Sequence, residues 1–207
     1  MSTGLAQDLA RLLAERHHAP HEVLGRFERD GSCVFRAHLP GARDAQLEDD
    51  IPLVRRPGTD LFEWRGPATT IPARPRVTWR DLHGQRQGHR DPYSFPAELP
   101  EHDVRLFHEG RHRRAHRFLG ARPITLDGVA GMRFAVWAPN AERVSVVGDF
   151  DGWDGRRHPM TSLGWSGLWC LFVPDLGPGE RYKYELRARG TGAVFLKADP
   201  FATAFEA

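Results

Sequence analysis

Apolar positions along this chain follow two periods. Leu5, Leu9, Leu12 and Leu13 recur at i, i+4, i+7 and i+8, which puts them on one face of a helix. Ser2 or Thr3 is placed to cap its start, and Asp8, Arg11, Glu15 and Arg16 fill the other faces. Pro20 disfavours helix in the residue before it, so the helix should end near His17-His18-Ala19. From Gly25 onward the period shortens. Ser32-Cys-Val-Phe-Arg-Ala-His-Leu39, Leu61-Phe-Glu-Trp-Arg65 and Arg76-Val-Thr-Trp-Arg80 are short strand-like runs with turn residues between them. The same texture returns from Met132 to Phe201. There Met132-Arg-Phe-Ala-Val-Trp-Ala-Pro-Asn140, Leu168-Trp-Cys-Leu-Phe-Val-Pro174 and Arg181-Tyr-Lys-Tyr-Glu-Leu186 are broken by Gly, Pro, Asn and Asp.

The two β-rich stretches are copies of one another. Phe35-Arg-Ala-His-Leu-Pro-Gly-Ala42 aligns with Phe134-Ala-Val-Trp-Ala-Pro-Asn-Ala141 at an offset of 99 (35 to 134). Leu61-Phe-Glu-Trp64 aligns with Leu168-Trp-Cys-Leu171 at 107, and Asp91-Pro-Tyr93 with Asp199-Pro-Phe201 at 108. The offset grows and never shrinks, as expected for two related domains with loop insertions in the second. The expected fold is mainly β: two tandem immunoglobulin-like β-sandwich domains with an N-terminal helix and a connecting helix. The expected boundaries are 1–95 for the helix and first sandwich, 96–126 for the connector and 127–207 for the second sandwich.

The repeat also sets strand parity. Positions apolar in both copies should point inward: Phe35 with Phe134, Ala37 with Val136, Phe62 with Trp169, and Trp64 with Leu171. By the same parity Cys170 pairs with Glu63 and faces outward, as a partly exposed thiol. In the connector, Leu106 to Leu119 reads as mostly helical and ends at Gly120 and Pro123. Gly110 weakens its first turn by about 1 kcal/mol. That helix would set His108, His112 and His116 on one face. The surrounding Arg111, Arg113, Arg114 and Arg117 would repel a cation, so no metal site is expected there. His17-His18 lacks a third ligand at helical or turn spacing.

Bulk composition changes this picture little. Net charge is +2, too small to argue for nucleic acid, and of 29 basic residues only Lys183 and Lys197 are lysines. Two distant cysteines, Cys33 and Cys170, make neither a disulfide framework nor a zinc spacing, and read as thiols of a reducing compartment. The first residues carry no signal-peptide pattern and no apolar run is long enough to span a bilayer, so the expected location is cytoplasmic. No nucleophile, phosphate loop or metal cluster stands out, and no cofactor is implied.

Candidate chemistry comes from what the second copy adds. Phe150-Asp-Gly-Trp153 has no counterpart in the first copy, which reads Asp50-Ile-Pro-Leu53 at that point. Lys183 lies between Tyr182 and Tyr184, aligns with Thr78 and faces away from the core. An exposed indole stacks on the apolar C–H face of a pyranose, while an ammonium and a carboxylate bond its hydroxyl rim. Trp153, Lys183 and Asp151 are therefore the candidate sugar-binding residues. The competing reading is that Trp153 plugs the sandwich edge.

With these residues in view, the chain resembles the N-terminal part of bacterial 1,4-α-glucan (glycogen) branching enzymes. The resemblance rests on His17-His-Ala-Pro-His-Glu-Val-Leu-Gly25, Asp91-Pro-Tyr93, Leu106-Phe-His-Glu-Gly110, Asp127-Gly-Val-Ala-Gly131, Phe134 to Ala141, Val144 to Trp153 and Leu196-Lys-Ala-Asp-Pro200. It implies that the second sandwich is a family 48 carbohydrate-binding module, of the kind that also precedes debranching enzymes and trehalohydrolases. The family usually has Tyr at His116, His at Arg122 and Asp at Ala19. The resemblance further implies a catalytic (β/α)8 barrel after Ala207, with the nucleophile and acid inside it, so no residue of this chain is assigned a catalytic role. The implied partners are α-1,4-glucan or glycogen and that barrel, with neither nucleic acid nor membrane. A purely structural alternative makes both sandwiches braces for the barrel, with Trp137 and Phe172 facing it.

Overall fold

The computed structural model describes residues 3–204. Helix α1 spans Thr3–Leu13, so the expected cap at Ser2 lies outside the described residues. Strands follow at β1 (Gly25–Arg29), β2 (Ser32–His38), β3 (Ala42–Leu47), β4 (Ile51–Pro52), β5 (Val54–Arg55), β6 (Leu61–Pro67), β7 (Arg76–Asp81) and β8 (Arg86–Arg90). Helix α2 spans Glu101–His108. The remaining strands are β9 (Gly120–Leu126), β10 (Val129–Trp137), β11 (Ala141–Gly148), β12 (Thr161–Ser162), β13 (Leu168–Pro174), β14 (Tyr182–Ala188) and β15 (Val194–Lys197). The chain forms two compact units. One takes in the chain up to Ala14 with Pro20–Pro96, and the other takes in Glu15–Ala19 with the chain from Ala97 on.

Each unit contains two antiparallel sheets. In the first they run β1-β2-β6-β5 and β4-β3-β7-β8; in the second, β12-β13-β10-β9 and β11-β14-β15. The registers reproduce the sequence repeat. Phe35 pairs with Trp64 and Ala37 with Phe62, just as Phe134 pairs with Leu171 and Val136 with Trp169. The β3–β7 and β11–β14 ladders each carry a bulge, after Ala42 and Ala141 respectively. The inward assignment holds at these positions, with Trp64 only partly buried against the first core.

One ladder corrects the sequence alignment. Val77 pairs with Leu47 and Tyr184 with Val146, so the offset on this strand is 107 (77 to 184). Lys183 therefore corresponds to Arg76, and Thr78 to Glu185. A cation at this position is common to both copies.

The connector also differs from the helical reading. α2 begins right after Pro100 and stops at Gly110 (φ +66°), where Gly110 N donates to Phe107 O and Arg111 N to Leu106 O. That double closure satisfies the last helical carbonyls, and Gly is the residue that reaches its left-handed conformation without a Cβ clash. Gly110 thus ends the helix. His112 and His116 lie beyond it, and His112 is fixed between Asp103 Oδ1 (2.8 Å) and the Arg114 amide (3.1 Å).

The connector covers the outer face of the β9/β10/β12/β13 sheet. Phe118 and Leu119 form a buried cluster with Ala135 and Leu168, joined by Val104, Phe107 and Leu163. This overturns the expectation for Cys170. Parity does aim its thiol outward, but the covering layer buries it, with Sγ 3.7 Å from Glu98 O. Burial pushes the thiol up to about 12. Phe172, which the structural alternative turned toward a further domain, is likewise buried.

Candidate functional site

The 99 and 107 offsets differ by eight residues, and the ladders place that insertion between β11 and Pro159. Gln46 pairs with Pro52 in the first unit, and Ser145 bridges Pro159 in the second. Leu53 N donates to Ala45 O, as Met160 N does to Val144 O. The two loops part after a short 3-10 turn in each copy, Glu48–Asp50 and Asp149–Asp151. The extra residues carry Trp153.

The insertion lies against the outer face of the β11/β14/β15 sheet. Arg143 Nη1 donates to Gly155 O at 2.6 Å and its Nη2 pairs with Glu185. A Cβ on Gly155 would fall 2.0 Å from Glu185 Oε1, so any larger residue would displace the end of that side chain. Lys183 and Glu185 share that face by alternation, and Leu196, paired with Glu185, joins them. Lys183 and Leu196 are exposed.

Trp153 is held by its neighbours. Its indole Nε1 donates to Asp149 Oδ1 (2.9 Å), and Asp149 Oδ2 accepts from Arg181 Nε (2.6 Å). Arg181 immediately precedes β14 and is two residues from Lys183, so this chain of contacts anchors the indole at the start of that strand. The Arg181 and indole hydrogen bonds hold the Asp149 carboxyl below its ordinary range. Trp153 adopts φ +62°, a region that bulky residues rarely occupy. Its amide compensates by donating to Gly148 O and Asp151 Oδ1, both at 3.0 Å. Trp153 remains 40% exposed.

Asp151, expected among the sugar-facing groups, has another role. Its carboxylate is buried. Oδ1 accepts from the Gly148 and Trp153 amides at 2.9 and 3.0 Å, and Oδ2 meets His158 Nδ1 at 3.0 Å. It shapes the loop, and its side chain is closed off from solvent. The sequence reading missed Asp149 and Arg181, which hold the indole. The local clue was an Arg two positions before the singled-out Lys, matched to an acid four before the singled-out Trp.

Two family models match different parts of the chain. Residues 118–202 match the family model described as carbohydrate-binding module 48 (isoamylase N-terminal domain). The second sandwich is thus of the carbohydrate-binding class. Residues 5–93 match the model described as the alpha-1,4-glucan branching enzyme GlgB N-terminal domain. Over nearly its whole length the chain is similar to the N-terminal region of 1,4-α-glucan branching enzymes. Among its relatives, the 1,4-alpha-glucan branching enzyme of Cellvibrio japonicus is 49% identical over 98% of this chain and 29% of its own length. That of Methylococcus capsulatus is 47% identical over 98% of the chain and 27% of its length. The chain therefore spans under a third of these relatives. A pullulanase crystal structure from Anoxybacillus sp. LM18-11 aligns over 86% of this chain and 25% of its own, at 17% identity and a TM-score of 0.32, a likeness too weak to carry argument.

Proposed function

We propose that this chain is the non-catalytic front of an enzyme that forms α-1,6 branches in glycogen, and that its second sandwich holds α-1,4-glucan at the outer face of β14 and β15. The observation that carries this reading is the eight-residue insertion. It brings a half-exposed, hydrogen-bonded indole to the strand that bears Lys183. The flat C–H face of a glucose ring would stack on Trp153, and Lys183 would bond a hydroxyl beside it. Leu196 adds apolar surface on the same face. Such a shallow site nets roughly 4–6 kcal/mol, or millimolar to tens of micromolar affinity.

Cleavage and transfer would be the work of a barrel in the same polypeptide, which this segment would position. Among the described residues no helix is long and apolar enough to cross a membrane. Both cysteines are buried unpaired thiols, which suits a cytoplasmic protein. The test is calorimetric titration of the chain with maltoheptaose. Trp153→Ala should weaken binding about tenfold and Lys183→Ala about threefold, without loss of fold. Equal binding by the parent and Trp153→Ala would sink the assignment.

A further inference from the structure

Trp153 is one of three exposed tryptophans among the described residues; the others are Trp137 and Trp165, 54% and 87% exposed. Neither belongs to the face proposed above. Both lie on the other sheet of the second sandwich, where the chain leaves β10 and enters β13. Trp165 rides the Gly164–Ser166 turn, which a hydrogen bond from the Leu168 amide to Ser166 Oγ (3.0 Å) closes. At the corresponding place the first copy has Gly58 in the β5–β6 turn (offset 107), and His38 stands where Trp137 does (offset 99). Both indoles are thus additions of the second copy, as Trp153 is.

The end of α2 joins them. The His108 ring lies 4.4 Å from the Trp165 ring, and the neighbouring Phe107 ring lies 6.1 Å from that of Trp137. Gly167 lets Trp137 lie close: a Cβ there would fall 3.0 Å from the indole Nε1. The result is an aromatic row, Trp165–His108–Phe107–Trp137, with open indoles at its two ends. Within it, His108 Nε2 is shut off from water without a hydrogen-bond partner. An orphaned polar atom of that kind is costly, and a hydroxyl brought to it recovers the loss. Admitting one requires Trp165, 87% exposed, to tilt away from the His108 ring.

We propose that this row is a second α-glucan-binding site on the opposite sheet from Trp153. The two indoles stack on glucose rings of one chain, and His108 Nε2 bonds a hydroxyl between them. The proposal rests on α-glucan being the ligand of the module. A protein partner fits less well. A stable protein interface buries about 800 Å² per partner around an apolar centre, whereas here the widely open apolar side chains are two indoles flanked by exposed Glu109 and Arg111. An uncharged, hydroxyl-rich chain with apolar ring faces suits a row that carries no permanent charge.

Two sites on opposite sheets would let one module grip two strands of a branched particle, with avidity beyond either site alone. The test uses the chain with 15N-labelled indoles, titrated with maltoheptaose, together with retention in glycogen-containing gels. The Trp137 and Trp165 signals should move in both the parent and Trp153→Ala. Trp165→Ala should weaken glycogen retention about tenfold and His108→Ala about threefold. Trp153→Ala/Trp165→Ala should abolish retention. If the sugar moves the Trp153 signal alone, the second site is overturned and the first stands. If no indole responds, both fall. If the Trp137 and Trp165 signals shift with protein concentration and not with sugar, the row is a contact between copies and the proposal fails.

Discussion

The same cross-strand slot is filled in opposite ways in the two sandwiches. In the first, Arg36 on β2 faces Glu63 on β6, and the two are joined at 2.9 Å. In the second, the equivalent pair is Ala135 on β10 and Cys170 on β13. The backbone register is unchanged, so the strands do not dictate the difference. The covering layer does. Phe118 and Leu119 close over Ala135, and a buried ion pair there would lose its water without a donor-rich surround. Over the first slot Arg36 finds the Val23 carbonyl at 3.5 Å and the Phe27 ring at 5.3 Å. The edge strands show a similar divide. β8 reads Arg-Gln-Gly-His where β15 reads Val-Phe-Leu-Lys, at an offset of 108, and Val194, Phe195 and Leu196 are exposed. A duplicated frame has thus been kept as a polar-faced body in one copy and given apolar and aromatic surfaces in the other.

The largest effect should come from moving the charge across. Ala135→Arg forces a long cation under Leu119 and Phe118, combining overpacking with an unpaired buried charge. It should cost the second unit about 4 kcal/mol or more. The reverse change, Arg36→Ala with Glu63→Cys, removes both partners together and should cost the first unit no more than about 2 kcal/mol. Denaturant unfolding, with hydrogen exchange assigning each loss to its unit, measures both. A tolerated Ala135→Arg would mean that α2 and its loop do not seal that face.

A shared device gives a closer comparison. Gly25 and Gly120 begin β1 and β9 with φ of +94° and +85°, and each lies against the Asp-Pro-aromatic turn of its own unit. At Gly25 a Cβ would fall 2.4 Å from Tyr93 O; at Gly120 the nearest atoms are Phe201 Cβ and O at 3.0 Å. Gly25→Ala meets a backbone carbonyl that cannot yield and should cost about 3 kcal/mol. Gly120→Ala should cost about 2 kcal/mol, most of it backbone strain. Equal losses would show that strain, and not the clash, sets the penalty.

How far the sequence was legible follows from the same contrast. The repeat, its anchors and the inward parity could be read because apolar alternation is a local signal. Phe35/Trp64 and Phe134/Leu171 then took the same register in space. The burial of Cys170 and Phe172 could not be read, because it depends on a layer from elsewhere in the chain. α2 was displaced toward Leu119 because Gly110 was weighed as a weak helical residue, when the Glu-Gly-Arg run was a stop. Trp153 could be found as an addition to the second copy. The role of Asp151 could not, since a carboxylate beside an indole reads alike whether it bonds loop amides or a sugar.

The smallest expected effect concerns the two Asp-Pro turns and depends on pH. Asp91 is buried, with Ser94 Oγ donating to its Oδ2 at 2.5 Å. Burial pushes its carboxyl up to about 7, against the pull of that hydrogen bond, of backbone amides and of Arg74. The unfolded chain holds the same proton with a pKa near 4. The folded state therefore binds it more tightly, and its stabilising contribution is complete below about pH 4 and lost as pH rises through about 7. Between about pH 5 and 8 the first unit should lose on the order of 2 kcal/mol from this group. Asp91→Asn keeps an acceptor for Ser94 and removes the proton. It should flatten that slope in hydrogen-exchange protection of β2 and β6. Asp199, the counterpart, instead accepts from the hydroxyls of Tyr182 and Tyr184. Those donors bond the carboxylate directly, so Asp199→Asn should cost the second unit stability. If Asp91→Asn leaves that slope unchanged, the buried Asp91 carboxyl does not set the pH dependence of the first unit.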